Sequence, residues 1–163
     1  MATLPQLIEE DVRHLDRTLR DLLASSEATT ALVIDKGGFL ITHSGESAEF
    51  DLTTIAALAS GAYLANQTIA NLVHEENFDS VYQQGEKFSM FVLNVDAYCL
   101  LVLIFPATIS VGAVKYFALR ASVQVAAQLQ LAHERDPKNG IDLSMLNMAD
   151  TTSLFHKRKA RPS

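Results

Sequence analysis

Two apolar runs, Phe88–Val95 and Tyr98–Phe105, constrain the fold more than any other part of this sequence. Both are short, rich in branched and aromatic residues, and largely apolar at successive rather than alternate positions. A strand with this pattern must be covered on both faces of its sheet. The pair therefore predicts an α/β domain in which helices bury both sides of the central strands.

Three longer segments have helical periodicity. They are residues 3–24, 51–74 and about 110–132. In the first segment, leucines recur at steps of three and four residues, and Thr3 with Gln6 forms a candidate capping box. Asp51 is the expected N-cap of the second helix.

Three further short runs, residues 30–35, 39–43 and 78–84, are predicted strands, and the last is polar enough to be an edge strand. The predicted order is α-β-β-α-β-β-β-α. Its three hairpin-like connections favour a five-stranded, mainly antiparallel sheet with helices on both faces. We expect one domain over residues 1–132 and a polar C-terminal tail over 133–163.

The sequence Asp35-Lys36-Gly37-Gly38 could be a phosphate-binding loop or a turn. A phosphate loop leads from a strand into a helix, and its lysine is followed by Ser or Thr. Here Phe39-Leu40-Ile41 follows, which is a strand signal. The glycines therefore predict a hairpin turn, where they supply positive φ angles.

These motifs, in this order, resemble the roadblock/dynein-light-chain family. The matching features are D-x-x-G between two short strands and a second helix that opens with D-x-T-T and contains A-x-L-A-S-G. The strand Leu100–Phe105 also fits, because Val111-Gly112-Ala113-Val114-Lys115 soon follows it and opens the third helix. The resemblance covers about residues 8–132 and is strongest to the bacterial MglB branch.

The resemblance implies a homodimeric regulator with no catalytic site of its own. MglB-type proteins bind the GTP form of the Ras-like polarity GTPase MglA and stimulate its GTP hydrolysis allosterically. The alternative is a dimeric roadblock scaffold or adaptor without activating power. Roadblock dimers pair through the second helix and the third strand. At matching positions, the expected dimer residues are Ala56, Tyr63, Ser80, Val81, Tyr82 and Gln83.

The second helix contains no charged residue from Leu52 to Val73. Helical spacing predicts that Leu52, Ile55, Ala59, Ala62, Ile69 and Val73 face the sheet. The opposite side then carries Ala57, Ser60, Gly61, Leu64, Thr68 and Asn71. A charge-free outer side favours contact with another protein over burial inside one small domain. By the resemblance, this side would face the GTPase, although Leu64 and Thr68 are larger than the family pattern suggests.

Few residues offer catalytic or metal-binding chemistry. Cys99 lies in the most apolar strand and is predicted to be a core residue, and the five histidines show no ligand spacing. Arg13, Arg17 and Arg20 form a basic ridge that could supply an arginine in trans, but nearby acids on the same helix favour a solvated face. We expect no cofactor and no metal.

The charge is uneven: residues 1–132 carry a net charge of −8 and residues 133–163 carry +2. An acidic body argues against nucleic-acid binding. No apolar run approaches the roughly 20 residues of a membrane helix. We expect a cytoplasmic protein without membrane insertion, and the resemblance leaves open a concentration at a cell pole.

The tail allows two interpretations. It could be a disordered, solubilising end. Alternatively, Ile141, Leu143, Met145 and Leu146 dock on a partner while the basic run Lys157-Arg158-Lys159 is attracted to an acidic surface.

Overall fold

The computed structural model describes residues 4–135, which form three helices and five strands in the predicted order. The elements are α1 (Glu9–Ser26), β1 (Thr30–Asp35), β2 (Leu40–Gly45), α2 (Leu52–Leu72), β3 (Ser80–Gln84), β4 (Phe88–Asn94), β5 (Cys99–Pro106) and α3 (Val111–Arg135). Of the predicted tail, residues 133–135 belong to α3, and the rest, from Asp136 onward, lies outside the described residues.

The five strands form one sheet in the order β2-β1-β5-β4-β3, and every neighbouring pair is antiparallel. The central strand β5 is buried from Cys99 to Phe105. Alternate strand residues enter two separate cores: α1 and α3 cover one face of the sheet, and α2 covers the other. The predicted two-sided burial of the apolar strands is therefore confirmed.

The segment Asp35–Gly38 is a hairpin turn, as the glycines predicted. The Asp35 N–H donates to the Phe39 carbonyl over 2.8 Å, and the Gly38 N–H donates to the Asp35 carbonyl over 2.9 Å. Gly38 has a φ of 98°, a conformation that other residues rarely adopt. Strand β2 follows this turn directly.

The start of α1 differs from the prediction. The helix begins at Glu9, so Gln6 lies before it and cannot complete a capping box; Thr3 lies outside the described residues. Instead, the Asp11 carboxylate accepts a hydrogen bond from the Ile8 N–H over 2.8 Å. A carboxylate in the first turn also suits the positive end of the helix dipole, which explains the later start.

Asp11 also ties the beginning of α1 to the end of α3. Its fully buried carboxylate accepts bonds of 2.9 and 3.0 Å from the Arg135 guanidinium and one of 2.7 Å from the Gln128 amide. Burial raises the pKa of Asp11, but these bonds and the Arg135 charge lower it more, so the net pKa lies below its ordinary value. The two helices therefore run antiparallel across the sheet.

Candidate protein-interaction surface

Helix α2 is held at both ends by local hydrogen bonds. At its start, the Asp51 carboxylate accepts bonds from the Thr54 N–H over 3.1 Å and the Thr54 hydroxyl over 2.6 Å, and these bonds lower the Asp51 pKa. At its end, His74 has a φ of 63°, and the Glu75 N–H donates back to the Ala70 carbonyl over 2.9 Å. These local bonds define where α2 begins and ends.

The side of α2 that faces the sheet is not the one that spacing predicted. The buried residues are Leu52, Ala56, Ala59, Ser60, Tyr63 and Ala70. Ala62, Ile69 and Val73, which were expected on the sheet, are exposed. The Ser60 hydroxyl lies on this buried side and donates to the Lys36 carbonyl in the β1–β2 turn. Ser60 is therefore covered by its own protomer. Of the residues predicted to face the sheet, Leu52 and Ala59 are buried, and Ile55 is partly buried against the core under α2.

Lys36 also connects the turn to the opposite hairpin. Its ammonium donates to the Asp96 carbonyl over 2.6 Å and lies 5.7 Å from the centre of the Tyr63 ring. Burial lowers the pKa of Lys36, while attraction to the Asp96 carboxylate partly opposes that shift. Burial raises the pKa of the Tyr63 phenol. These contacts anchor the middle of α2 on the sheet.

The outer side of α2 forms an exposed, uncharged patch, which we call the α2 surface. It consists of Ala57, Leu58, Gly61, Leu64, Thr68, Asn71 and Leu72. The three leucines are 68%, 52% and 75% exposed. Large apolar side chains this accessible, with no charge between them, are typical of a surface that another protein covers.

Leu58 and Leu72 are the members of the α2 surface that the sequence analysis missed. Leu58, Ala65 and Leu72 follow one another at seven-residue steps, so a second apolar stripe was present in the sequence. On a helix without charged residues, however, apolar spacing alone does not identify the buried side. The five expected surface residues other than Ser60 are all exposed.

The edge of the sheet beside α2 is formed by β3. Within the described part of the chain, β3 is hydrogen-bonded to β4 alone, so its other edge is open. Tyr82 stacks on Phe105 at the face covered by α1 and α3, with ring centres 6.2 Å apart, whereas Val81 packs against the core under α2. The Gln67 amide joins α2 to the segment entering β3 by donating to the Phe78 carbonyl over 3.0 Å.

The six expected dimer residues fall into two groups. Ala56 and Tyr63 are buried within their own protomer, where they pack against the sheet. Ser80 and Val81 are half-buried, while Tyr82 and Gln83 are exposed along β3. A second chain could therefore reach the β3 residues directly, but it could not contact Ala56 or Tyr63 without rearrangement.

Cys99 and the arginines of α1 lie away from the α2 surface. Cys99 is fully buried; burial and the charges of Asp96 and Asp35 raise the pKa of its thiol. Arg13 pairs with Glu9 over 3.3 Å on the opposite face of the sheet. Among residues 4–135, no three His, Cys, Asp or Glu side chains are placed to share a metal ion.

None of the helices in the described part of the chain combines the length and the hydropathy needed to cross a bilayer.

Comparison with known proteins agrees with this architecture. Residues 14–105 match the model of the Roadblock/LC7 domain. A solved MglB with a tetrameric arrangement is 28% identical, with a TM-score of 0.76, and the match covers 81% of this chain and 99% of the other.

Two further MglB structures are similar. The gliding protein MglB of Thermus thermophilus is 29% identical, with a TM-score of 0.74, and the match covers 80% of this chain and 99% of that one. MglB of Myxococcus xanthus is 26% identical, with a TM-score of 0.72 and coverages of 78% and 96%. The comparison with curated proteins found no match.

Proposed function

Because this chain belongs to the Roadblock/LC7 family, we propose that it is a homodimeric regulator of a Ras-like small GTPase of the MglA type. It binds the GTP form of that GTPase and stimulates hydrolysis. The likeness to three MglB structures over about four-fifths of the chain supports this choice among the functions of the family.

The α2 surface is the observation that carries the proposal. Leu58, Leu64 and Leu72 provide apolar contact area, and Ala57 and Gly61 let another backbone approach closely. Such a surface suits docking of a folded protein, because no charge must be desolvated when water is excluded. Ser60 is left out of the docking site because its hydroxyl is bonded inside the protomer.

The open edge of β3 supports self-association. Pairing of β3 with its copy would join two sheets and remove an edge that otherwise invites uncontrolled pairing. It would also place two α2 surfaces side by side. The MglB with a tetrameric arrangement is a similar protein that assembles with itself. The proposed homodimer thus presents one broad docking face made by both chains.

The mechanism is allosteric. The dimer accelerates hydrolysis by binding most tightly to the GTPase conformation whose own switch loops hold the attacking water and the γ-phosphate. Only a difference in affinity between conformations shifts their populations, and about 1.4 kcal/mol of difference changes the ratio tenfold. The regulator contributes a surface to this step, and the GTPase contributes the catalytic groups.

The second candidate function is a scaffold that binds the GTPase without accelerating hydrolysis. The same α2 surface would serve it, since docking area alone is needed. The two functions differ in one measurable property, the rate of GTP turnover.

The test is GTP hydrolysis by the MglA-like GTPase of the same organism, with and without this protein. We expect acceleration by the wild-type chain and loss of acceleration in Leu64→Arg, because the charge would be desolvated on docking. The matched control is Leu119→Arg. Leu119 is 45% exposed and lies on α3, which covers the other face of the sheet together with α1.

The outcomes separate the candidates. Acceleration that survives Leu119→Arg and disappears in Leu64→Arg supports an activator working through α2. Binding without acceleration would leave the scaffold function, and the absence of binding would contradict both. Equal loss of acceleration in Leu64→Arg and Leu119→Arg would show that the effect is not specific to the α2 surface, and would contradict docking there.

A further inference from the structure

A groove between α1 and α3 lies on the sheet face opposite α2. It consists of two adjoining cavities of about 340 and 220 Å³, which share Thr18, Asp21 and Gln124. Leu131 lines the end nearest the C-terminus of α3 and is 56% exposed. The groove is therefore largely polar but offers one large apolar side chain, Leu131, that nothing in residues 4–135 covers.

The walls of the groove carry more positive than negative charge. Arg17 lines the first cavity and Arg120 the second, and neither forms an ion pair with another described residue. Arg120 contacts the Tyr116 hydroxyl and ring instead. Asp21 is the carboxylate between them. An apolar occupant with negative charge would complement these walls.

The chain beyond α3 contains a segment of this kind. Residues 141–150, IDLSMLNMAD, hold apolar side chains and two carboxylates, Asp142 and Asp150, with no lysine or arginine. Asp136–Gly140 precedes it and contains proline and glycine, which favour a reversal of chain direction. We propose that residues 141–150 dock in the α1/α3 groove of their own chain.

The distances allow this return. Leu131 lies about 6 Å along the helix axis before Arg135, since each residue of an α-helix rises about 1.5 Å. Five linker residues span at most about 17 Å. A helical segment of ten residues is about 15 Å long and would run back from Leu131 as far as the turn that carries Arg120.

In this arrangement the two carboxylates of the segment fall opposite the two arginines of the groove. Because α1 and α3 are antiparallel, Arg17 lies at the level of Leu131 and Gln128, beside the start of the returning segment. Asp142 would approach Arg17, and Asp150 would approach Arg120. Tethering also gives the segment an effective concentration near millimolar, so a contact too weak to join separate molecules is sufficient.

The experiment places a nitroxide on the full-length chain through Ser144→Cys and records paramagnetic broadening of backbone amide signals. Cys99 is fully buried, so the reagent attaches at the new thiol. Docking predicts that amides of residues 14–25 and 117–131 lose most of their intensity, while those of α2 keep theirs. A label introduced through Ser163→Cys serves as the comparison position.

Two matched substitutions test the groove itself. Leu131→Asp should abolish the broadening, whereas Leu119→Asp should leave it unchanged, because Leu119 is similarly exposed but does not line the groove. Arg120→Glu should weaken the broadening near residue 120, and adding Asp150→Arg should restore it. Unchanged signals elsewhere in the sheet confirm that each variant is folded.

Several results would overturn the proposal. Absence of broadening in the groove would show that the segment does not dock there. A second sample mixes isotope-labelled chains without nitroxide and unlabelled chains that carry it. Broadening in this sample would show that the segment of another copy occupies the groove. Equal effects of Leu131→Asp and Leu119→Asp would remove the groove as the cause. None of these results bears on the role of the α2 surface.

Discussion

The two faces of the sheet are covered by helices with the same inner chemistry and opposite outer chemistry. Both α1 and α2 bury apolar side chains, in the larger and the smaller core respectively. On its outer side, α1 carries exposed acids and bases, among them Glu9, Glu10, Arg13, Arg17 and Arg20, whereas α2 carries no charge over its whole length. This difference supports the proposal that a protein partner covers α2, whereas the charged outer side of α1 suits solvent except where the helix borders the groove.

Helix α3 is intermediate between the two. It carries Lys115 and Arg120, yet Tyr116 and Val123 are also exposed on it. Of its exposed apolar residues, Leu131 lines the groove whose walls carry Arg17 and Arg120. A groove of this kind suits a small amphipathic segment better than a broad flat partner. The buried stripe of each helix is thus explained by the fold, and the composition of the outer side is the basis of the two proposed docking sites.

The largest expected effect comes from comparing two leucines, one from each helix. Leu19 of α1 is fully buried, so Leu19→Ala should lower the free energy of unfolding by about 2–5 kcal/mol. Leu58→Ala on the α2 surface should change it by less than about 0.5 kcal/mol in the monomer. Urea unfolding at low, fixed protein concentration measures both, and similar losses would contradict the contrast between the helices.

The next effect concerns the polar tie between α1 and α3. Asp11→Asn replaces a buried carboxylate bonded to Arg135, and should cost about 1.5–3 kcal/mol, the usual range for bonds to charged groups. The lower part of that range is expected because the Arg135 side chain is 42% exposed and remains solvated.

The same substitution predicts a pH dependence with a defined sign. The pKa of Asp11 in the folded chain lies below its unfolded value, so its contribution is complete above the unfolded pKa, near 4, and is lost as pH falls through the folded pKa. Unfolding measured at pH 7 and near pH 3 should show the gap between wild type and Asp11→Asn shrinking. A gap that widens in acid would contradict the assignment.

The fold could be predicted from the sequence because its strands and turns have distinct local signals. The bounds of β1 agree with the prediction, and the bounds of the other strands differ from it by one or two residues. Gly37-Gly38 and Pro106 are examples of these local signals, because they lie where a strand ends or the chain turns. The start of α1 was misplaced because the apolar pattern continues ahead of the helix: Leu4 and Leu7 are buried in the core without being helical. The bond from the Ile8 N–H to Asp11 marks the actual start.

The candidate site was harder to predict than the fold. Apolar residues lie on every side of α2, so their spacing does not fix its rotation, and a helix without charges gives no second indication of its outer side. Ala57, Gly61, Leu64, Thr68 and Asn71 were nevertheless assigned to an exposed face. The assignment failed at Ser60, which is buried and bonded to a carbonyl in another element, a contact that apolar spacing does not reveal.

The smallest expected effect separates folding from function on α2 itself. A Cβ added at Gly61 would meet no atom outside the helix backbone within 4 Å, so Gly61→Ala removes backbone freedom from the unfolded chain without a clash. The free energy of unfolding of the monomer should rise by about 0.5–1 kcal/mol. Affinity for the GTPase should fall, because the added methyl group lies where close backbone approach is proposed. Urea unfolding and titration calorimetry measure the two quantities. A variant that gains stability and keeps full affinity would show that the partner contacts the leucines but not the helix backbone between them.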